Sequence, residues 1–378
     1  MTMELPAIAR IAAALVAALL ISFIATPVVK SIAQMVGAVD VPKDNRRMHN
    51  HPIPRMGGLA IFLGFLLSTL IFVPMSSSMR GMLLGGVIIV ILGIFDDIYA
   101  LPALVAVLHG NVIQVLSNPN IFSENPYWTL GSLAVPLSVI WIVAITNAVN
   151  LIDGLDGLAV GVATISSLTM LVIAMLVSEN VVALMMAALA GGCIGFMPYN
   201  LNPAKIFMGD TGSTFLGFVL ATVSIQGLFK FYTIISFAVP FLMLGLPLFD
   251  TCFAILRRLA KGQSPMAPDR SHVHHRLIDM GFNQKQAVAI LYVISAILGL
   301  SAVVLTTSGA LKAMVLLCAL CLAGLISGKI FLSHNENHQE KTKEKESNDH
   351  AIESHDDLRD PPGGGEDGPS GKGTGEQS

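Results

Sequence analysis

The sequence predicts an all-α membrane protein that spans the bilayer many times, and three observations predict it. Hydrophobic residues make up 53% of the 378-residue chain, and the mean hydropathy is +0.70. Charged residues supply only 12%, about half the share found in soluble globular domains. Uncharged runs recur at 57–79, 125–152, 157–178, 180–204, 211–229, 231–249 and 286–311. Each reaches or exceeds the roughly 18 residues that bridge a hydrocarbon core.

Shorter runs at 11–29, 81–95 and 313–328 complete an expectation of ten full spans plus one short segment. The first is a retained helix, because Lys30, Lys43, Arg46 and Arg47 follow it, whereas a cleaved signal peptide carries its charge in front. That order places the N-terminus outside. Positive charge gathers in two loops, five basic residues over 30–55 and six over 257–285, so both loops are expected in the cytoplasm. Two domains follow: a transmembrane body with cytoplasmic catalytic loops over 1–332, and a tail over 333–378. The tail holds 12 acidic and 5 basic residues among Gly and Pro, the composition of a disordered, cytoplasmic segment. Cys193, Cys252, Cys318 and Cys321 lie in or beside apolar runs, where packing explains them.

Only 13 acidic residues precede the tail, and six of them sit at the ends of apolar runs. Ionisable groups at membrane depth are costly and mark function by default. Asp96 and Asp97 are adjacent carboxylates, which repel and so raise a pKa or recruit a cation. Asn147, Asn150, Asp153 and Asp156 follow in NAVNLIDGLDGLA, with the two carboxylates three residues apart, on one face if helical. One capped helix start would need one of these four polar residues. Asp210, between glycines in MGDTGS at a helix start, suits a hard cation or a phosphate. Asp250 is evenly balanced between a site role and a helix-end carboxylate meeting water.

The basic loops contribute Arg46, His49 and Arg55 from the first, and Arg270, His272, His274 and His275 from the second. A membrane-anchoring patch would explain the arginines but not three histidines within four positions. Zinc is an alternative for that cluster, although the loop has no thiol; phosphate recognition fits the flanking Arg270 and Arg276 better.

These motifs act together only if they share one face, which requires a further crossing between Asp97 and Leu130. The only candidate is 103–116, interrupted by His109 and Gly110. As a 14-residue helix it would reach about 21 Å across a core of roughly 30 Å.

In this order, residues 46–58, the Asp96–Asp97 pair, NAVNLIDGLDGLA, IFMGDTGS and SHVHHRLIDMGF resemble the polyprenyl-phosphate N-acetylhexosamine-1-phosphate transferase superfamily. The forms PIPRMGG and SHVHHRL are similar to the branch that uses GlcNAc-1-phosphate to begin teichoic acid, common-antigen and O-antigen (lipopolysaccharide) synthesis. The sequence departs from the family in one place: 100–104 carries no Lys where the family has one. The resemblance implies an enzyme of the bacterial plasma membrane, with its site facing the cytoplasm. It would transfer GlcNAc-1-phosphate from UDP-GlcNAc to undecaprenyl phosphate with Mg²⁺, or Mn²⁺ in its place. It also implies roles. Asp210 and Asn150 hold the metal, and Asp96 or Asp97 takes the lipid phosphate. Asp153 and Asp156 line the uridine-sugar side. Arg46, His49, Arg55, Asn147, Arg270, His272, His274 and His275 bind substrate. A homodimer is compatible with the resemblance, and no nucleic-acid partner is expected. Two rivals stand beside this reading: a sibling enzyme using another UDP-HexNAc or UDP-MurNAc-pentapeptide, and a cation-coupled transporter. A transporter would place charge in broken helices near mid-bilayer.

Overall fold

The computed structural model describes residues 6–41, 52–93, 106–109, 111–113, 115–117, 127–227, 235–264 and 272–306. Among these the chain is helical almost throughout. Helices α1 (Ala7–Met35), α2 (Gly58–Phe72) and α3 (Ser77–Leu92) come first. Next are α4 (Ala134–Leu151), α5 (Leu158–Leu176), α6 (Asn180–Asn200) and α7 (Gly209–Gly227). The last are α8 (Ile235–Met243), α9 (Gly245–Ala260), α10 (Val273–Asp279) and α11 (Gln284–Thr306). Two short antiparallel ribbons interrupt them: β1 (Val39–Asp40) with β2 (Ile53–Pro54), and β3 (Val115–Ser117) with β4 (Tyr127–Thr129).

Among the described residues, five stretches are long and apolar enough to cross a bilayer: Ala7–Met35, Gly131–Leu151, Leu158–Leu176, Asn180–Asn200 and Gln284–Thr306. Helices α2 and α3 are apolar but shorter. The protein is thus an all-α polytopic membrane protein. Without a hydrophobic drive between helices in lipid, close packing of small residues takes over. Gly191 and Gly195 of α6 lie so close to α1 that a Cβ would come within 2.1 Å of the Leu15 carbonyl oxygen and 2.3 Å of that of Leu19. Helix α7 forms the centre, buried from Gly212 to Gly227, with α2, α3, α4, α5 and α6 around it.

The contacts of α7 define two ends of the bundle. At its first turn, Thr211 meets Gly93 beyond α3, Ser213 meets Asn150 of α4, and Gly212 meets Gly58 of α2. At its last turn, Gln226 donates to Asn111, which also holds Ser78 at the start of α3. His109 packs on Gly81 at that same far end. Gly93 thus lies at the site end and His109 at the far end.

Two expectations change. Residues 103–116 are not one helix. The helical stretch ends at Leu108, Asn111–Ile113 are irregular, and Val115 opens β3. Asn111 is the cause: its amide nitrogen takes the Ala106 carbonyl at 2.9 Å and the Ser78 carbonyl at 3.2 Å, closing the turn. Ala106–His109 and Asn111 lie together at the far end, while residues 94–105 lie outside the described residues. The 231–249 run is also divided. Helix α8 stops at Met243 and α9 starts at Gly245, with Pro240 and Pro247 flanking the break. Ser166 donates to the Met243 carbonyl at 2.8 Å, satisfying a group that the break sets free. The tail lies outside the described residues, as do Cys318 and Cys321.

Candidate active site

The first wall of the site is stitched from residues far apart in sequence. Arg55 N–H donates to Ala38 O at 2.9 Å, Phe207 N–H to Pro54 O at 2.8 Å, Gly57 N–H to Phe207 O at 2.9 Å and Gly58 N–H to Met208 O at 2.8 Å. Gly209, at φ +74°, turns the chain into α7 in a conformation that a side chain would strain. Asp210 then falls in the first turn of α7, where the helix dipole favours a carboxylate. Gly58 and Gly212 allow the close approach, since a Cβ on Gly58 would lie 2.1 Å from Gly212 Cα. The result sets Arg55 Nη2 3.3 Å from Asp210 Oδ2, with Nη1 3.9 Å from Asp40 Oδ1.

The second wall is the turn between α4 and α5. Asn150 Oδ1 accepts the Ser213 hydroxyl, tying the end of α4 to the start of α7. Gly157, at φ +80°, starts α5, and Tyr292 of α11 donates its hydroxyl to the Gly157 carbonyl. Asp153 is pushed up to about 7, by burial first and then by the Asp210 and Asp156 charges, against the pull of Arg55. Asp156 Oδ2 accepts from Asn202 Nδ2 and from Ala204 N–H, each at 3.0 Å, so one of its oxygens is committed to holding the 200–204 loop.

A cavity of about 330 Å³ lies between these walls, lined by Asp40, Arg55, Asp153, Asp156, Asp210 and His275 among others. Four carboxylates face one guanidinium and one imidazole. That excess of negative charge, already felt by Asp153, suits a divalent cation. No group of three metal-ligating side chains is assembled among the described residues.

The histidines divide. His275 lines the cavity, while His272 and His274 are buried behind it. His272 Nδ1 sits 2.9 Å from Asp250 Oδ2. The His274 ring stacks over His272 and abuts Gly154, where a Cβ would lie 2.3 Å from its Nε2. Burial, and then the charge of His275, push the His274 pKa down to about 4. Asn147 is one turn before Asn150 on α4 and is not among the described cavity-lining residues. Arg46, His49, Asp96, Asp97 and Arg270 lie outside the described residues. Asp40, Asn202 and Gln284 join the site or its supports without a signal in the motif pattern, and Asp250, evenly balanced from sequence, supports the site through His272. Asp40 and Gln284 reach the cavity, and Asn202 Nδ2 bridges Asp156 and Gln284 Oε1, the latter at 2.7 Å.

Residues 79–228, from α3 to the end of α7, match the model of Glycosyl transferase family 4. The chain belongs to this family, and it is an enzyme, a glycosyl-1-phosphate transferase of the polyprenyl-phosphate N-acetylhexosamine-1-phosphate transferase superfamily. A probable undecaprenyl-phosphate N-acetylglucosaminyl 1-phosphate transferase of Bacillus subtilis (strain 168) is 44% identical over 308 residues, covering 79% of this chain and 86% of the relative. A decaprenyl-phosphate N-acetylglucosaminephosphotransferase of Mycobacterium tuberculosis is 33% identical, covering 73% and 77%. An undecaprenyl-phosphate alpha-N-acetylglucosaminyl 1-phosphate transferase of Thermotoga maritima is also 33% identical, covering 68% and 78%.

Proposed function

We propose that this enzyme transfers GlcNAc-1-phosphate from UDP-GlcNAc to undecaprenyl phosphate, releasing UMP, as the first membrane step of a cell-envelope polysaccharide. The observation that carries the reading is the meeting in one cavity of Arg55, Asp153, Asp156, Asp210 and His275, drawn from four separate motifs. The names of the relatives support the sugar and the lipid. The positive-inside rule supports a site facing the cytoplasm of a bacterial plasma membrane, because Arg55, Arg257, Arg258 and Arg276 lie on elements at the site end.

Phosphoryl transfer needs alignment and charge neutralisation more than covalent help. A lipid phosphate oxygen attacks the β-phosphorus of the nucleotide sugar, and the bond to the UMP oxygen breaks. In this reading Arg55 and His275 hold the diphosphate, and Asp153 and Asp156 border the uridine-sugar. Asp96 or Asp97, by the family resemblance, orients or deprotonates the lipid phosphate. Asp210, with Asn150 beside it, would hold Mg²⁺, which supplies charge neutralisation for the two phosphate groups. The test is purified enzyme with undecaprenyl phosphate, Mg²⁺ and a panel of UDP-sugars, followed by UMP release. Turnover with UDP-GlcNAc above the others is expected. Preference for UDP-MurNAc-pentapeptide or another UDP-HexNAc would assign the chain to a sibling activity.

A further inference from the structure

Asp250 is a buried carboxylate that the reaction scheme does not use, 5% exposed on α9 just beyond the break at Leu244. An ionised carboxylate is expensive to bury unless both oxygens are hydrogen-bonded. Here both are: Oδ1 accepts the Val273 N–H at 2.8 Å, and Oδ2 meets His272 Nδ1 at 2.9 Å. Both partners belong to the start of α10, the helix that carries His275 into the cavity.

From there contact continues inward. The His272 and His274 rings stack with centroids 5.8 Å apart and 8° between planes, and His274 lies 4.3 Å from the His275 ring. His274 also presses on Gly154, next to Asp153. We propose that Asp250 is a positioning residue: by holding His272 and the Val273 amide it fixes the start of α10, seats His275 in the cavity and braces the Gly154 backbone beside Asp153. The inference deepens the reading of the cavity as the nucleotide-sugar site and rests on it for its kinetic consequence, though not for its structural one. The break between α8 and α9 belongs to the same device, because it frees α9 to bring Asp250 against the start of α10.

The experiment compares Asp250→Ala, which removes both contacts, with Asp250→Asn. The asparagine can keep both contacts once His272 carries its proton on Nε2. Diethyl pyrocarbonate modification of the detergent-solubilised full chain, mapped by mass spectrometry, reads the histidines without any substrate. In the wild type the buried His272 and His274 should react slowly. Asp250→Ala should speed both by about tenfold or more, and Asp250→Asn should restore most of the protection. In kinetics, Asp250→Ala should raise KM for UDP-GlcNAc by about tenfold while leaving KM for the lipid phosphate within about twofold. Combined with His275→Ala, it should add little to the loss from His275→Ala alone, because both act on one group. Should Asp250→Ala not reach the membrane, His272→Ala breaks the same link, keeps the Val273 contact, and should expose His274 and raise the same KM. An unchanged modification pattern in a folded Asp250→Ala or His272→Ala protein overturns the proposal. So do losses that multiply in the double variant. A wild type that turns over no UDP-sugar would defeat the proposed function while the modification data still decide the role of Asp250.

Discussion

Asp210 and Asp153 occupy the same cavity but differ in what surrounds them. Asp210 has a helix N-terminus and Arg55 beside it, whereas Asp153 has burial and two like charges against that same arginine. Asp210→Asn should therefore fold normally yet lose about a hundredfold or more in transfer, the scale on which an essential metal site acts. Near-wild-type turnover of this variant at limiting Mg²⁺ would remove Asp210 from the metal. Asp153 makes a prediction about stability. Its folded pKa, about 7, is above the ordinary 3.8, so its stabilising contribution is complete below about pH 4 and is lost as pH rises toward 7. Asp153→Asn, permanently neutral, should melt above the wild type at pH 8, and the gap should close by pH 4. His274 has the opposite sign: its pKa falls from 6.5 to about 4, so its contribution is lost as pH drops through that window. His274→Gln should flatten the acid side of the wild-type curve. A gap that is constant with pH in either variant would contradict the environment assigned to that residue.

At the scale of elements, the far-end polar knot is as specific as the site. Asn111 is fully buried, donates to Ala106 and Ser78 carbonyls, and accepts from Ser78 Oγ and Gln226 Nε2. Asn111→Leu would orphan several of these groups at about 1–3 kcal/mol each, and thermal unfolding in detergent should show a drop of several degrees or more. KM for either substrate should hardly move, because the knot is a full helix length from Asp210. A variant as stable as the wild type would mean the knot carries no weight. This element also marks how far the sequence can be read. Long apolar runs announce membrane helices because nothing else tolerates so little charge, and the glycines around Asp153 and Asp210 announce tight backbone packing. Beyond Ala106 the partners of Asn111 come from α3 and α7, and those of Asp250 lie 22 and 23 residues away, so no local pattern contains them. The break at Leu244 is hidden for a different reason: an apolar run has the same composition whether or not the helix continues. Likewise the spacing of His272, His274 and His275 reveals a cluster but not that only the last faces the cavity.

The whole molecule separates a charged end from a far end along the central α7. Arg55, Asp210, the 152–157 turn and α10 gather at one end; the Ser76–Ser78 turn, Asn111 and the 177–179 turn gather at the other. Exposed positions at each end test the orientation. On a cysteine-free background, Ser178→Cys should react with an impermeant thiol reagent added to intact cells, and Gln263→Cys should be protected until the membrane is opened. The opposite pattern would put the cavity outside and away from a cytoplasmic nucleotide sugar.

The central claim is that this cavity moves a sugar together with its phosphate. UDP-GlcNAc labelled with ³²P at the β-phosphorus tests it most directly, given to the purified enzyme with undecaprenyl phosphate and Mg²⁺. Attack at the β-phosphorus predicts that the label passes to the lipid product and that the released nucleotide is unlabelled UMP. Label recovered in UDP, with an unlabelled glycolipid, would show transfer of the sugar alone and contradict the account.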